Sequence, residues 1–274
     1  MANALISITE LAGQLSESVV FDCRFSLADF AAGRQQYEAG HIPGAFHLDM
    51  ETDLAGDNTT ELGRHPLPRR ADFESRLRAC GVNSTSRIVL YDANRFAGAA
   101  RAWWLLRYWG CDDVRLLNGG FGSWSAAGHG VETGSAVPTT TGNVTLSTGT
   151  PGALMDSATV RATVRSQSRV IVDSRETERF LGHSEPIDPV AGCIAGALNA
   201  PWQAVTNVDG MALDATQQRA RWQAVGAGDS PIVYCGSGVT ACVNLLSREL
   251  AGLSAGTLYN GGWSEWCALS QSED

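Results

Sequence analysis

The sequence predicts two tandem α/β domains, each a mainly parallel sheet flanked by helices. Two observations support this. Short β-branched apolar runs alternate with helical patterns, and the second half of the chain repeats the first. With 274 residues, 44% of them hydrophobic, the chain can bury two ordinary cores. Alternation of strands and helices favours parallel sheets, because each helix returns the chain to the same end of the sheet.

The repeat consists of four segments of the first half that recur, in order, in the second half, roughly 142 to 152 residues later. The matched pairs are 19–24 with 170–175, 40–45 with 192–197, 88–92 with 231–235, and 118–124 with 260–266. So long a period indicates a duplicated domain rather than a solenoid. We therefore predict domains at 1–132 and 153–274. They are joined by a Thr-, Ser-, Gly- and Pro-rich linker at 133–152, which we expect to be extended.

Individual elements follow from periodicity. Ile88–Tyr91 and Ile232–Tyr234 are short, β-branched and flanked by turn residues, so they predict buried strands. Arg69–Cys80 predicts a helix with one apolar face that Gly81 can end. Val239–Leu250 predicts a second helix with an apolar stripe.

Composition excludes several classes of protein. The net charge is −9 and Lys and Arg form no cluster, which disfavours a nucleic-acid binder. We find no apolar run of membrane-spanning length and no signal-peptide pattern in residues 1–7, so we expect a cytoplasmic chain without membrane contact. The seven cysteines include no Cys-x-x-Cys pair, which disfavours a zinc site or a thioredoxin-like redox site.

Cys235 is the predicted nucleophile. It directly follows the strand at 232–234, and Gly236, Ser237 and Gly238 separate it from the next helix. Ligands of parallel sheets bind at this end of the strands, and a glycine-rich turn before a helix presents backbone N–H groups that stabilise a thiolate. In the first copy Asp92 occupies the matching position, without a glycine until residue 98. We therefore expect that copy to lack both the nucleophile and the N–H cradle.

Two other cysteine chemistries fit poorly. A cysteine phosphatase needs an arginine six residues after the nucleophile to hold phosphate, and Ala241 stands there. A papain-like protease needs a histidine base, and the region around Cys235 does not resemble that family's cysteine segment.

Together, the motifs resemble the tandem-domain rhodanese family over nearly the whole chain. They are Gly40-His41-Ile42-Pro43-Gly44-Ala45, Asp173-Ser174-Arg175, the two Asn-Gly-Gly…Trp segments, and 235–241. The resemblance implies transfer of sulfur through a Cys235 persulfide, without a metal or organic cofactor. The partners it implies are a small-molecule sulfur donor and a thiol acceptor, either a thioredoxin-like protein or a low-molecular-weight thiol.

The loop Cys-Gly-Ser-Gly-Val-Thr is similar to that of 3-mercaptopyruvate sulfurtransferases, whereas members that prefer thiosulfate typically carry a basic loop. The resemblance implies that Arg179 binds the donor carboxylate and that the loop residues Gly236, Gly238, Val239 and Thr240 also contact the donor. A second carboxylate-binding arginine, expected nine residues after Arg179, is replaced by Asp188. Thiosulfate therefore stays open as donor, as does a persulfide relay or redox sensor that does not turn over small donors.

The family's proposed Ser–His–Asp relay implies catalytic roles for Ser237 and His65, with an acidic member near Asp49 or Glu51. His41 belongs to a turn motif, and we expect it to be structural. Arg175 beside Asp173 predicts a structural ion pair, since Arg24 and Asp22 repeat it in the first copy. We expect Cys242 to pack in the core, and Cys193 to be a packing residue or a second thiol.

Overall fold

The computed structural model describes residues 4–58 and 62–271, which form two compact units. The first unit contains 4–56, 68–150 and 208–212. The second contains 57–58, 62–67, 151–207 and 213–271. A short segment of each half of the sequence thus packs with the other half's unit, and His65 belongs to the second unit.

The first unit is built on a five-stranded parallel sheet with the strand order β1-β5-β4-β2-β3. Its strands are β1 (Leu5–Ile6), β2 (Ser18–Asp22), β3 (Phe46–His47), β4 (Arg87–Tyr91) and β5 (Val114–Leu117). Its helices are α1 (Ile8–Gly13), α2 (Ala32–Ala39), α3 (Arg70–Ala79), α4 (Ala97–Tyr108) and α5 (Gly120–Ala126). The strand β4 and the helix α3 confirm the strand and the helix predicted here.

The second unit repeats this topology with the order β6-β10-β9-β7-β8. Its strands are β6 (Leu154–Met155), β7 (Ile171–Asp173), β8 (Leu198–Asn199), β9 (Ile232–Tyr234) and β10 (Thr257–Tyr259). Its helices are α6 (Ser157–Ser166), α7 (Thr177–Phe180), α8 (Ala215–Val225), α9 (Ala241–Leu250) and α10 (Gly262–Gln271). The matching strand order confirms the predicted fold class. The helix predicted from Val239 begins two residues later, at Ala241. The N–H groups of Cys242 and Val243 bond to the carbonyls three residues back, those of Val239 and Thr240, instead of four residues back as in an α-helix.

A buried ion pair recurs in both units at the end of the sheet where the strands finish. Arg24 bonds to Asp22 and donates to the carbonyl of Gly40, 2.6 Å away. In the second unit Arg175 bonds to Asp173 at 2.7 Å and donates to the matching carbonyl of residue 192 at 2.6 Å. The predicted structural role of this pair is confirmed.

The segment 133–152 has no helix or strand, and most of it packs on the first unit. Val144 and Leu146 are buried there. The N–H of Val144 donates to the carbonyl of Val82, and that of Ser147 donates to the carbonyl of Trp109. No helix within the described residues is long and apolar enough to cross a bilayer.

Candidate active site

Cys235 lies directly after β9, at the centre of the second sheet, and is only 2% exposed. The N-terminus of α10 binds the carbonyl groups beside it. The N–H of Trp263 donates to the carbonyl of Cys235 at 2.8 Å, and the N–H of Ser264 donates to that of Gly236 at 2.9 Å. The carbonyl groups of Cys235 and Gly236 are thus bonded to α10, and the N–H groups of the loop stay available as donors to a ligand.

Those loop N–H groups have no acceptor in the part of the chain that the structure describes. Within residues 4–58 and 62–271, no backbone N–H of residues 236–241 donates a hydrogen bond, although 236–239 are buried. Buried N–H groups without partners are rare in proteins, because each costs about 1–3 kcal/mol of desolvation. Gly238 is needed for this loop shape, since a Cβ there would lie 2.4 Å from the carbonyl oxygen of Asn260. The loop is therefore preformed to receive an acceptor.

The first unit shows what such a loop binds. One carboxylate oxygen of Asp92 accepts N–H bonds from Asn94 (2.9 Å) and Phe96 (3.1 Å), and the other accepts from Gly98 (2.9 Å) and Ala99 (3.0 Å). Burial raises the pKa of Asp92, and these four bonds offset part of the rise.

The expectation that the first copy lacks an N–H cradle was therefore wrong. The loop turns without glycine because Arg95 and Phe96 themselves adopt left-handed backbone, at φ 52° and 71°. Three of its four donors, at positions two, four and six after Asp92, match Ser237, Val239 and Ala241 after Cys235. The fourth, Ala99, matches Cys242, whose N–H donates instead to the carbonyl of Val239 at 3.1 Å. By this internal symmetry, an anion on Cys235 would occupy the place that the Asp92 carboxylate fills in the first unit.

Ser237 and His65, both predicted from the resemblance, lie in contact. His65 Nδ1 is 2.7 Å from Ser237 Oγ, and both side chains are buried. The segment that carries His65 is fixed to the second unit, since Asn260 Nδ2 donates to the carbonyl of His65 at 3.0 Å. Asp49 belongs to the first unit, where its carboxylate accepts from the backbone N–H of Glu51. The acidic member of the relay stays a prediction.

Arg179, at the end of α7, lies beside the loop and is held by two buried carboxylates. It bonds to Glu185 at 2.7 Å and to Asp188 at 3.1 Å. A Cβ added to Gly236 would lie 3.7 Å from Nη2 of Arg179. Glu185 also bonds to Arg175 at 3.0 Å. It therefore connects Arg179 to the structural ion pair of Arg175 and Asp173.

Arg64 is a residue of this site that the sequence analysis missed. Its guanidinium bonds to Asp188, and its Nη2 would lie 2.8 Å from a Cβ at position 236. Its backbone N–H donates to Ser264 Oγ at 3.2 Å. Sequence reasoning missed it because it lies far from Cys235 along the chain. Its position next to His65 was the available signal.

The pKa values of the two buried carboxyl groups are shifted in opposite directions: that of Glu185 is lowered and that of Asp188 is raised. Burial tends to raise the pKa of Glu185, but hydrogen bonds from Arg179 and from backbone N–H groups outweigh it and lower the pKa overall. Burial raises the pKa of Asp188, and the charge and hydrogen bond of Arg64 reverse only part of that rise, while Glu185 adds repulsion.

His41 and Cys242 lie in structural settings, and the alternative between a packing residue and a second thiol stays a prediction for Cys193. His41 Nδ1 is 2.9 Å from the carbonyl of Tyr37 and its ring stacks on Tyr37 in the first unit, which agrees with a structural role. Cys242 is fully buried under the loop, as expected for packing. Cys193 is partly buried, and burial raises the pKa of its thiol.

Comparison with known proteins identifies the family. The sequence profile of the rhodanese-like domain matches residues 7–127 and 157–269. A Pseudomonas aeruginosa protein named as a probable 3-mercaptopyruvate sulfurtransferase is 42% identical, over 96% of this chain and 94% of that protein. A Mycobacterium tuberculosis protein provisionally named thiosulfate sulfurtransferase SseB is 38% identical, over 96% of this chain and 93% of that protein.

Among solved structures, 3-mercaptopyruvate sulfurtransferase from Leishmania major superposes with a TM-score of 0.88 at 31% identity, covering 99% of this chain and 76% of the other. Two copies of one domain, the same strand order in each, and close relatives along the full length all agree. The chain belongs to the rhodanese family, with two rhodanese-like domains in tandem.

Proposed function

We propose that this chain is a sulfurtransferase that takes sulfur from 3-mercaptopyruvate onto Cys235 and passes it to a thiol acceptor. The observation that carries this proposal is the set of N–H groups after Cys235 that have no acceptor within the described residues; those of Ser237, Val239 and Ala241 match three of the four that hold the Asp92 carboxylate. The names of the relatives support the reaction class, and that of the Pseudomonas relative supports this donor.

In the first step, the Cys235 thiolate attacks the sulfur of the donor thiol. A sulfur–sulfur bond forms and the donor's carbon–sulfur bond breaks, leaving its electron pair on carbon. That carbanion is the enolate of pyruvate; it takes up the proton that the donor thiol loses and leaves as pyruvate, so the persulfide on Cys235 is left as an anion. The hydrogen-bonded Ser237 and His65 form a path along which this proton can move. The loop N–H groups stabilise the sulfur anion that remains on Cys235.

In the second step, an acceptor thiolate attacks the outer sulfur of the persulfide. The sulfur–sulfur bond breaks, Cys235 regains its thiolate, and the acceptor leaves as a persulfide. Cyanide acts as acceptor in the same way and leaves as thiocyanate. Because the enzyme alternates between free and sulfur-loaded forms, we expect ping-pong kinetics.

Thiosulfate is the alternative donor, with sulfite as leaving group. Two observations favour it: Asp188 stands where a second carboxylate-binding arginine was expected, and the mycobacterial relative is provisionally named for thiosulfate. Against it, the loop residues 236–238 carry no charge of their own to meet a dianion.

The acceptor in our proposal is a thioredoxin-like protein or a low-molecular-weight thiol, and the compartment is the cytoplasm. The cysteines support this, because none of the seven forms a disulfide bond and the cytoplasm keeps thiols reduced.

The test is steady-state sulfur transfer to cyanide, with 3-mercaptopyruvate and thiosulfate compared for wild type, Cys235→Ser and Cys193→Ser. We expect transfer from mercaptopyruvate to be preferred, lost in Cys235→Ser, and kept in Cys193→Ser, the matched cysteine control in the same unit. A preference for thiosulfate would replace the donor but keep the mechanism. Absence of transfer from both donors would refute the enzyme and favour a persulfide relay.

A further inference from the structure

We infer that Arg64 binds the anionic end of the sulfur donor together with Arg179. It takes the place of the second carboxylate-binding arginine that was expected at position 188, where this chain has aspartate. The inference rests on the proposed function and specifies how the donor is recognised. It comes from four charged side chains beside Gly236, all in the second unit: Arg64, Arg179, Glu185 and Asp188.

The four charges are sorted by depth. The side chains of Glu185 and Asp188 are 3% and 1% exposed, whereas those of Arg179 and Arg64 are 13% and 26% exposed. Each carboxylate therefore lies beneath an arginine and orients it. Although these four charges sum to zero, the more exposed two of them are guanidiniums, which can bind a carboxylate through two parallel hydrogen bonds. A fifth charge, the half-exposed carboxylate of Glu176, lies 3.9 Å from Nη1 of Arg179.

Both guanidiniums lie against the residue that follows the nucleophile. A Cβ at position 236 would be 2.8 Å from Nη2 of Arg64, 3.7 Å from Nη2 of Arg179 and 3.8 Å from Oδ2 of Asp188, the carboxylate that both arginines bind. The position of Arg64 therefore requires glycine at 236, because its guanidinium occupies the space that a side chain there would need. A donor whose sulfur reaches Cys235 would bring its anionic group next to these two arginines.

The backbone holds Arg64 in this place independently of Asp188. Its N–H donates to Ser264 Oγ, and the next residue, His65, is bound through its carbonyl by Asn260. Gly63 has a φ of 79°, and a Cβ there would lie 2.6 Å from the carbonyl oxygen of Gly261. The segment is therefore fitted closely to the loop that begins α10, so that Arg64 is presented by a fixed backbone.

Removing Asp188 together with Arg64 separates binding from mere charge balance. In Arg64→Ala the buried Asp188 loses a partner, which can destabilise the fold. The double variant Arg64→Ala/Asp188→Asn leaves no unpaired charge. Arg165→Ala removes an exposed arginine from the same unit and controls for net charge. KM and kcat for 3-mercaptopyruvate are measured with cyanide as acceptor.

We expect KM to rise about 10- to 100-fold in Arg64→Ala and in the double variant, with a much smaller change in kcat and no change in Arg165→Ala, because a charge-assisted hydrogen bond to the donor is lost. A double variant with the wild-type KM would overturn the inference and reduce Arg64 to a counter-ion of Asp188. That result leaves the proposed function intact. Absence of sulfur transfer by the wild type would refute the proposed function and this inference together.

Discussion

The duplicated ion pair offers a comparison of one substitution in two copies of one fold. Arg24 and Arg175 have the same buried partners, an aspartate two residues earlier and the carbonyl of a glycine. Arg175 has one more, since its Nη1 donates to Glu185 at 3.0 Å. Arg24→Lys and Arg175→Lys each keep the charge but replace three nitrogens by one. The difference between the two variants therefore measures the link to Glu185.

The magnitudes follow from the contacts. A lysine ammonium keeps the charge beside the aspartate but can meet only one of the shared partners well, so each variant loses at least one buried charge-assisted hydrogen bond, about 1.5–3 kcal/mol of unfolding free energy. Arg175→Lys also loses the bond to Glu185, about 1.5–3 kcal/mol more. Because Glu185 positions Arg179, we expect KM for the donor to rise about 10-fold in Arg175→Lys, the lower limit for one charge-assisted bond. In Arg24→Lys we expect KM to stay unchanged.

Hydrogen–deuterium exchange read by mass spectrometry can assign each loss to its own sheet, since protection reports local opening free energies. We expect faster exchange in β2 and β4 for Arg24→Lys and in β7 and β9 for Arg175→Lys. Steady-state kinetics supplies KM for both. If Arg175→Lys raises KM no more than Arg24→Lys does, the path from Arg175 through Glu185 to Arg179 does not position the donor arginine.

Three further predictions concern single groups of the second unit. Ser237→Ala and His65→Ala should each lower kcat about 10²- to 10⁴-fold. Because both residues belong to one proton path, the double variant should have a kcat only slightly below that of the slower single variant. Multiplicative losses of kcat in the double variant would contradict a shared path. Glu185→Gln should lower the unfolding free energy at neutral pH, because the lowered pKa of Glu185 means that its ionised form stabilises the fold. That difference from wild type should shrink on acidification through and below the ordinary value of 4.5, checked by urea unfolding at several pH values. Gly238→Ala should destabilise more than Gly226→Ala, since both positions have positive φ but only at 238 does a Cβ meet a backbone oxygen, 2.4 Å away; equal thermal shifts would contradict this.

Hydrophobic periodicity predicted the strands and helices because it reflects which residues are buried. The internal repeat predicted that the same fold occurs twice. The strand Ile232–Tyr234 was predicted with its observed bounds, since its apolar residues are buried in the middle of the sheet. The start of α9 was predicted two residues early, because an apolar pattern does not show that Val239 and Thr240 accept bonds from three residues ahead, as in a tighter turn, and not from four. The resemblance placed Ser237 and His65 at one site, and their contact agrees with it.

The charges around the donor site could not be predicted in the same way. Arg64 and Asp188 are far apart in sequence, and neither a helical apolar stripe nor a motif with fixed residue spacing relates them. An arginine that interacts through a tertiary ion pair has the same sequence appearance as a solvated one. The departure at Asp188 was visible, but its partner was not, so the sequence showed a missing positive charge without the residue that replaces it.

The first copy's cradle was mispredicted for a related reason, and it permits a test of what the cradle alone can do. In Asp92→Cys/Cys235→Ser the introduced thiol has the N–H donors that held the carboxylate, so it should react with an alkylating reagent faster than an ordinary buried cysteine. Position 94 carries asparagine where the second copy has Ser237, whose hydroxyl contacts His65. Stabilising a sulfur anion and moving a proton are separate requirements, and this variant meets only the first. We therefore expect fast alkylation without sulfur transfer to cyanide. Transfer near the wild-type rate would show that the N–H cradle suffices, and would remove the need for His65 and Ser237 in the mechanism.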